Sequence, residues 1–98
     1  MFREAAIQLR VGEANPRLDE LLGRAGVETA ACVRAGRESV RRDLAEALEE
    51  QGYVGTGVGS VLVVGMPRDT AKELGQRLRQ RAVIFHQRGR RTELVFVG

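Results

Sequence analysis

Ser60-Val-Leu-Val-Val-Gly-Met-Pro67, then Arg68–Gln80, then Arg81-Ala-Val-Ile-Phe85, is the stretch that decides the fold. An apolar run of strand length enters a segment opened by Pro67, and proline suits the start of a helix because its φ is already helical. Ala71, Leu74 and Leu78 recur at helical spacing and make one stripe. A second apolar run begins at Ala82. Strand, helix, strand is the expectation, with the helix packed on a small sheet.

Downstream, Gln87-Arg-Gly-Arg-Arg91 reads as a hairpin turn centred on Gly89, and Thr92–Val97 as the last strand. Upstream, Gly55, Gly57 and Gly59 read as a mobile connector between the stretch and a helix over Glu38–Gln51. That helix turns Val40, Leu44, Ala47, Leu48 and Gln51 to one side and is closed by Gly52, with Tyr53 folded against its last turn. Arg42 and Glu46 are spaced for an i,i+4 pair.

Val27–Val33 has small side chains on both faces, as an interior strand requires. Asn15-Pro16 is a cap followed by a helix starter, and Leu18, Leu21, Leu22 and Ala25 form the stripe that Gly26 ends. Ala5, Ile7, Leu9 and Val11 alternate with Ala6, Gln8 and Arg10, the pattern of a half-buried strand.

The expected order is β-α-β-α-β-α-β-β: an α+β, two-layer arrangement forming a single domain over residues 1–98. A half-wet first strand and a terminal hairpin argue for a mixed sheet, with Val61–Val64 its most buried strand. The 98 residues suffice for one core and not for two.

No apolar run approaches the roughly 18 residues that a membrane span needs, and the start lacks a basic region followed by a long apolar core. The single cysteine, Cys32, leaves no internal disulfide and fits a reducing cytoplasm. Membrane, metal and cofactor are therefore absent from the expectation.

Formal net charge is +3, and it is unevenly placed: from Arg77 onward there are six arginines against one acid, Glu93. Arg77, Arg81, Arg88, Arg90 and Arg91 are the candidates for one basic surface facing a nucleic acid, since the guanidinium fork matches phosphate. Arg79 leaves the helix on a different side from Arg77. Aromatic content is only 4%, which is poor in rings for stacking bases.

The Gly55–Gly59 run is not a phosphate loop. Such loops need a strand before and a helix N-terminus after, and here the order is reversed. Cys32 reads as a small buried residue, and it could meet His86 only if their strands are neighbours. His86 reads as a partly exposed strand-end residue with no acid nearby in sequence. Asp43, Glu46, Glu49 and Glu50 read as a solvated helix face.

Several runs resemble the uncharacterised bacterial family known as domain of unknown function 3293. They are Ile7-Gln-Leu-Arg-Val-Gly-Glu13, Asn15-Pro-Arg-Leu-Asp-Glu-Leu-Leu22, Gly26-Val-Glu-Thr-Ala-Ala31 and Ser60-Val-Leu-Val-Val-Gly-Met66. Ala71, Leu74, Gly75 and Gln80-Arg-Ala-Val-Ile-Phe85 complete the likeness. The resemblance covers most of the chain and implies an α+β fold with no established activity. The chain departs from it at Arg34-Ala-Gly-Arg37, where the family often has Asn-Pro, in the glycine run where a tryptophan and acids often stand, and at His86 in place of an aromatic residue. Ser60 and Gln80 are the polar positions that persist.

Three functions follow as expectations. The first is a small cytoplasmic binding or interaction domain without catalysis, pairing with a second copy through an edge strand at residues 5–11 or 92–97. The second is a weak nucleic-acid binder using the C-terminal arginines. The third is an enzyme or ligand site assembled from Ser60, Gln80 and His86, which requires the three within hydrogen-bonding reach of one molecule.

Overall fold

The computed structural model describes residues 9–57 and 59–97. Its elements are α1 (Pro16–Ala25), β1 (Thr29–Ala35), α2 (Glu38–Gln51), β2 (Gly55–Thr56), β3 (Gly59–Val64), α3 (Arg68–Arg77), β4 (Ala82–Gln87) and β5 (Glu93–Phe96). The fold is α+β, with three helices against one five-stranded sheet in the order β2-β3-β1-β4-β5. No helix among the described residues is long and apolar enough to cross a membrane.

The strand expected over residues 5–11 lies largely outside the described residues; Leu9, Arg10 and Val11 are irregular or turn. The sheet is antiparallel at every pairing rather than mixed. The cause is the glycine run. Gly55 and Thr56 form the short strand β2, which pairs with Val63 and Leu62 of β3. Gly57, at φ 118°, and Gly59, at φ 84°, turn the chain back. A Cβ on Gly57 would stand 2.3 Å from the Ser60 carbonyl oxygen. The expected connector is therefore a hairpin, and it reverses β3 relative to β1. Strands β3 and β4 then lie on either side of β1 as a split β-α-β unit, and β1-α2-β2-β3-α3-β4 follows the ferredoxin-like order.

Period two sorts the strands into two faces. Ala31, Val33, Ala35, Val61, Val63, Val83, Phe85 and Val95 join Leu44, Ala47, Leu48, Ala71, Leu74 and Leu78 in the main core, beneath α2 and α3. The most buried strand is central β1 rather than Val61–Val64, since Leu62 and Val64 face the other way and are half-buried. On that second face α1 covers only one end: Leu18 and Leu22 pack on Ala30, with Leu9, Val27, Leu62 and Val64 around them. Leu21 and Ala25 point outward, so the stripe of α1 is narrower than its spacing suggests.

The helix ends follow from local chemistry. Asn15 Oδ1 accepts the Leu18 N–H at 3.1 Å, capping α1. Gly26 and Gly52 close α1 and α2 in left-handed conformation. Tyr53 N–H returns to the Leu48 carbonyl at 2.9 Å, as expected of the residue after Gly52. Arg42 pairs with Glu38, one turn back, rather than with Glu46. Gln51 is exposed.

Candidate functional site

The second face of the sheet is left open where α1 stops. Across it, Leu62, Cys32 and Ile84 lie opposite one another on neighbouring strands, with Leu94 beyond Ile84. The next row holds Ser60 opposite Arg34, and Ala82 opposite Phe96. Phe96 is 71% exposed and Leu94 is 40% exposed, so this is an uncovered apolar strip. A groove of about 440 Å³ runs along it, lined by Cys32, Arg34, Ser60, Gln80, Arg81, Ile84 and Leu94 among others.

A second groove, of about 550 Å³, adjoins it at the end of β1 and shares Arg34 and Gln80. The Gln80 side-chain amide donates to the Arg34 carbonyl at 2.7 Å, which fixes Gln80 at the join. Arg34, Arg37, Arg79 and Arg81 line these grooves without an ion pair to any described residue.

The sequence candidates divide. Ser60 and Gln80 line the first groove together. His86 does not join them. Ser60 pairs with Arg34 and His86 with Ala30, four residues along β1, so about 13 Å of strand separates them. The three-residue site is not assembled.

The basic residues also divide. Arg81 precedes β4 and lines the open face. Arg88, Arg90 and Arg91 lie in the turn after β4, about 23 Å of strand away. Arg88 approaches Glu28 at 3.5 Å, and Arg91 donates to the Gly12 carbonyl at 3.4 Å. Arg77 makes a two-pronged contact with Glu50, at 2.9 and 3.2 Å. That hydrogen bonding and charge hold the Glu50 carboxyl below its usual range and raise Arg77, with Glu46 and Asp43 adding to the latter. Arg77 is thus already neutralised. Arg34 and Arg37, which complete the basic cluster, lie too far upstream in sequence to be grouped with the C-terminal arginines.

His86 is fully buried rather than partly exposed, and its acid is supplied by α1, which the sequence places far away. Its Nε2 is 2.6 Å from Asp19 Oδ1, and its Nδ1 is 2.9 Å from Thr92 Oγ1. Burial raises the Asp19 carboxyl. The hydrogen bonds from His86 and the Gly89 N–H, with the charges of His86 and Arg88, outweigh it and leave Asp19 below its ordinary value. An ionised carboxylate only accepts, so Nε2 carries a proton.

Thr-His-Asp is a nucleophile's constellation, yet Thr92 is 1% exposed and His86 0%. A nucleophile must meet a substrate, and this one is sealed. The chain of contacts ties α1 to β4 and to Thr92, the residue just before β5. Cys32 and His86 do sit on neighbouring strands, but both ring nitrogens are spoken for, and burial pushes the Cys32 thiol up, away from a reactive thiolate. Among the described residues no group of three or more His, Cys, Asp or Glu is placed to hold a metal ion.

No family model matches the chain, and neither a curated protein nor a solved structure matches it.

Proposed function

We propose that this protein is a non-catalytic binding domain whose open sheet face takes single-stranded nucleic acid. The observation that carries the reading is the pairing of an uncovered apolar strip with Arg34 and Arg81, neither of which has an acidic partner among the described residues. Exposed Phe96 offers one ring for a base, and a stacked base contributes about 1–3 kcal/mol. The two guanidinium groups offer phosphate contacts at its border. An open four-stranded face is also how RNA-recognition sheets display their rings, although the ring-bearing signature of those sheets is absent here. With one ring and two free cations the binding is weak, in the range of about 10⁻⁴–10⁻⁶ M that phosphate contacts alone supply. The likeness to domain of unknown function 3293 implies no activity and leaves this reading free.

The test is fluorescence anisotropy of a labelled oligouridylate of about four nucleotides, short enough to cover the sheet face alone, at about 50 and about 200 mM salt. Two phosphate contacts on a single strand give a slope near −1.4, so affinity falls about sevenfold over that interval. Arg34→Ala/Arg81→Ala abolishes binding at the lower salt, and Arg88→Ala/Arg90→Ala/Arg91→Ala leaves it intact. The reverse pattern, or no binding by the parent, overturns the reading.

A second reading, self-association, is favoured by β5. It is one of the sheet's two edge strands among the described residues, the other being the two-residue β2, and it carries the exposed Leu94 and Phe96. The N–H and C=O groups of these two residues face away from β4, as those of alternate residues must in an antiparallel pair. Sedimentation equilibrium decides it: a mass of one chain excludes pairing, and a dimer lost in Phe96→Glu supports it.

A further inference from the structure

Three helices end the same way, with one difference. After α1, α2 and α3 an N–H reaches back five residues: Val27 to Leu22, Tyr53 to Leu48, and Gln80 to Gly75, at 3.0, 2.9 and 2.8 Å. This closure needs a left-handed residue just before the donor, and glycine fills it at Gly26 and Gly52. After α3 the residue is Arg79, at φ 58°, the only described non-glycine residue with positive φ. An L side chain is strained there, and such strain persists where the side chain serves a purpose. Arg79 has no ion pair with a described residue, and it lines the second groove together with Arg37, with Arg34 and Gln80 shared with the first. The acid lining this groove, Asp43, adds to the charge already offsetting Arg77.

We infer that the groove formed by Arg34, Arg37 and Arg79 is a phosphate-binding site that takes the backbone of the strand as it leaves the open face around the end of β1. The inference rests on the proposed function and extends it. The bases lie on the sheet, and the strand's phosphates continue past Gln80 into a second basic groove. Four contacts then replace two, through Arg34, Arg81, Arg37 and Arg79. The slope of affinity against salt becomes about −2.8, and binding falls about fiftyfold between about 50 and about 200 mM salt.

The test compares the parent with Arg37→Ala/Arg79→Gly and with Arg79→Gly alone, using oligouridylates of about four and about eight nucleotides, within the span one small domain covers. Arg79→Gly places glycine where the other two helices have it, so its Tm stays unchanged or rises by about 2–4 °C and misfolding is not an explanation. The expected result is that the double variant brings the octamer's slope back to about −1.4 and leaves the tetramer's binding to the face within about twofold. An octamer that binds the double variant as tightly as the parent, with the same slope, overturns the inference while the sheet-face reading stands. An octamer that binds neither the parent nor any variant overturns both.

Discussion

His86 Nε2 and Asp19 Oδ1 stand 2.6 Å apart although 67 positions separate them in the chain. The contact is the main polar tie between α1 and the sheet, which α1 otherwise holds through Leu18 and Leu22. The Asp19 side chain keeps 25% of its surface, so the tie reaches the edge of solvent.

The first prediction concerns acid. Asp19 has a lowered carboxyl pKa when folded, so it binds a proton more readily in the unfolded chain. Its stabilising contribution is fully present above the ordinary carboxyl value of 3.8 and is lost as pH falls through the lowered folded value. Asp19→Asn is expected to be less stable than the parent by about 1–3 kcal/mol at neutral pH. Urea titrations followed by circular dichroism should show that gap close as pH is taken below 3.8. A gap that is constant with pH would remove the ionic part of the tie.

Replacing the buried partners one at a time should cost more than replacing them together. His86→Phe leaves the Thr92 hydroxyl and the Asp19 carboxylate without their partner, at about 2–3 kcal/mol, and Thr92→Val leaves Nδ1 unpaired at about 1 kcal/mol. In the double variant the loss of the orphaned hydroxyl disappears. Its destabilisation falls short of the sum by about 1 kcal/mol in a thermodynamic cycle.

Gly75 tests packing against propensity. A Cβ there would stand 2.7 Å from Val97 Cγ2 and 2.9 Å from Val83 Cγ1. Alanine gains about 1 kcal/mol as a better helix former, while overpacking a filled site costs about 1–3 kcal/mol. Gly75→Ala is therefore neutral to about 2 kcal/mol destabilised, and Gly75→Ala/Val97→Ala recovers part of the loss. A clearly stabilised Gly75→Ala would mean that α3 sits farther from β4 and β5 than described.

Arg77 should be silent in binding. Its two-pronged contact with Glu50 and the nearby charges of Glu46 and Asp43 already offset it. Arg77→Ala is expected to leave oligonucleotide affinity within about twofold, whereas Arg81→Ala lowers it with a shallower salt slope. Equal losses in the two variants would show that the helix end, and not the open face, meets the strand.

Cys32 reports on the open face without taking part in it. Burial raises its thiol, so at neutral pH it reacts with a small alkylating reagent more slowly than free cysteine. A strand lying over Ile84 and Leu94 should slow the reaction further, and a bound oligonucleotide that gives no protection would place binding elsewhere.

How much of this was legible depends on range. The bounds of α2 and the caps at Asn15, Gly26 and Gly52 are set by neighbours within a few positions, and they read directly. The antiparallel reversal was not legible, because Gly55 and Thr56 form a strand only when Val63 and Leu62 are beside them. Buried His86 was missed for the same reason: Asp19 and Thr92 are ordinary exposed-type residues until α1 and the last turn bring them together. Ser60 and Gln80 were grouped from resemblance, and they do share a groove. The C-terminal arginines were grouped by closeness in sequence, and β4 holds them apart.

The central place of β1 has a consequence for synthesis. Its partners are β3 and β4, and Thr29 pairs with Gln87. A ribosome adding about 5–20 residues per second produces that partner some seconds after β1 has emerged. During the interval α2 can form from local contacts, while the most buried strand lacks its β4 partner and, until β3 emerges, its other partner too. The growing chain is thus most prone to misassociation before β4 appears, and truncation ahead of β4 should yield an aggregating product rather than a smaller domain.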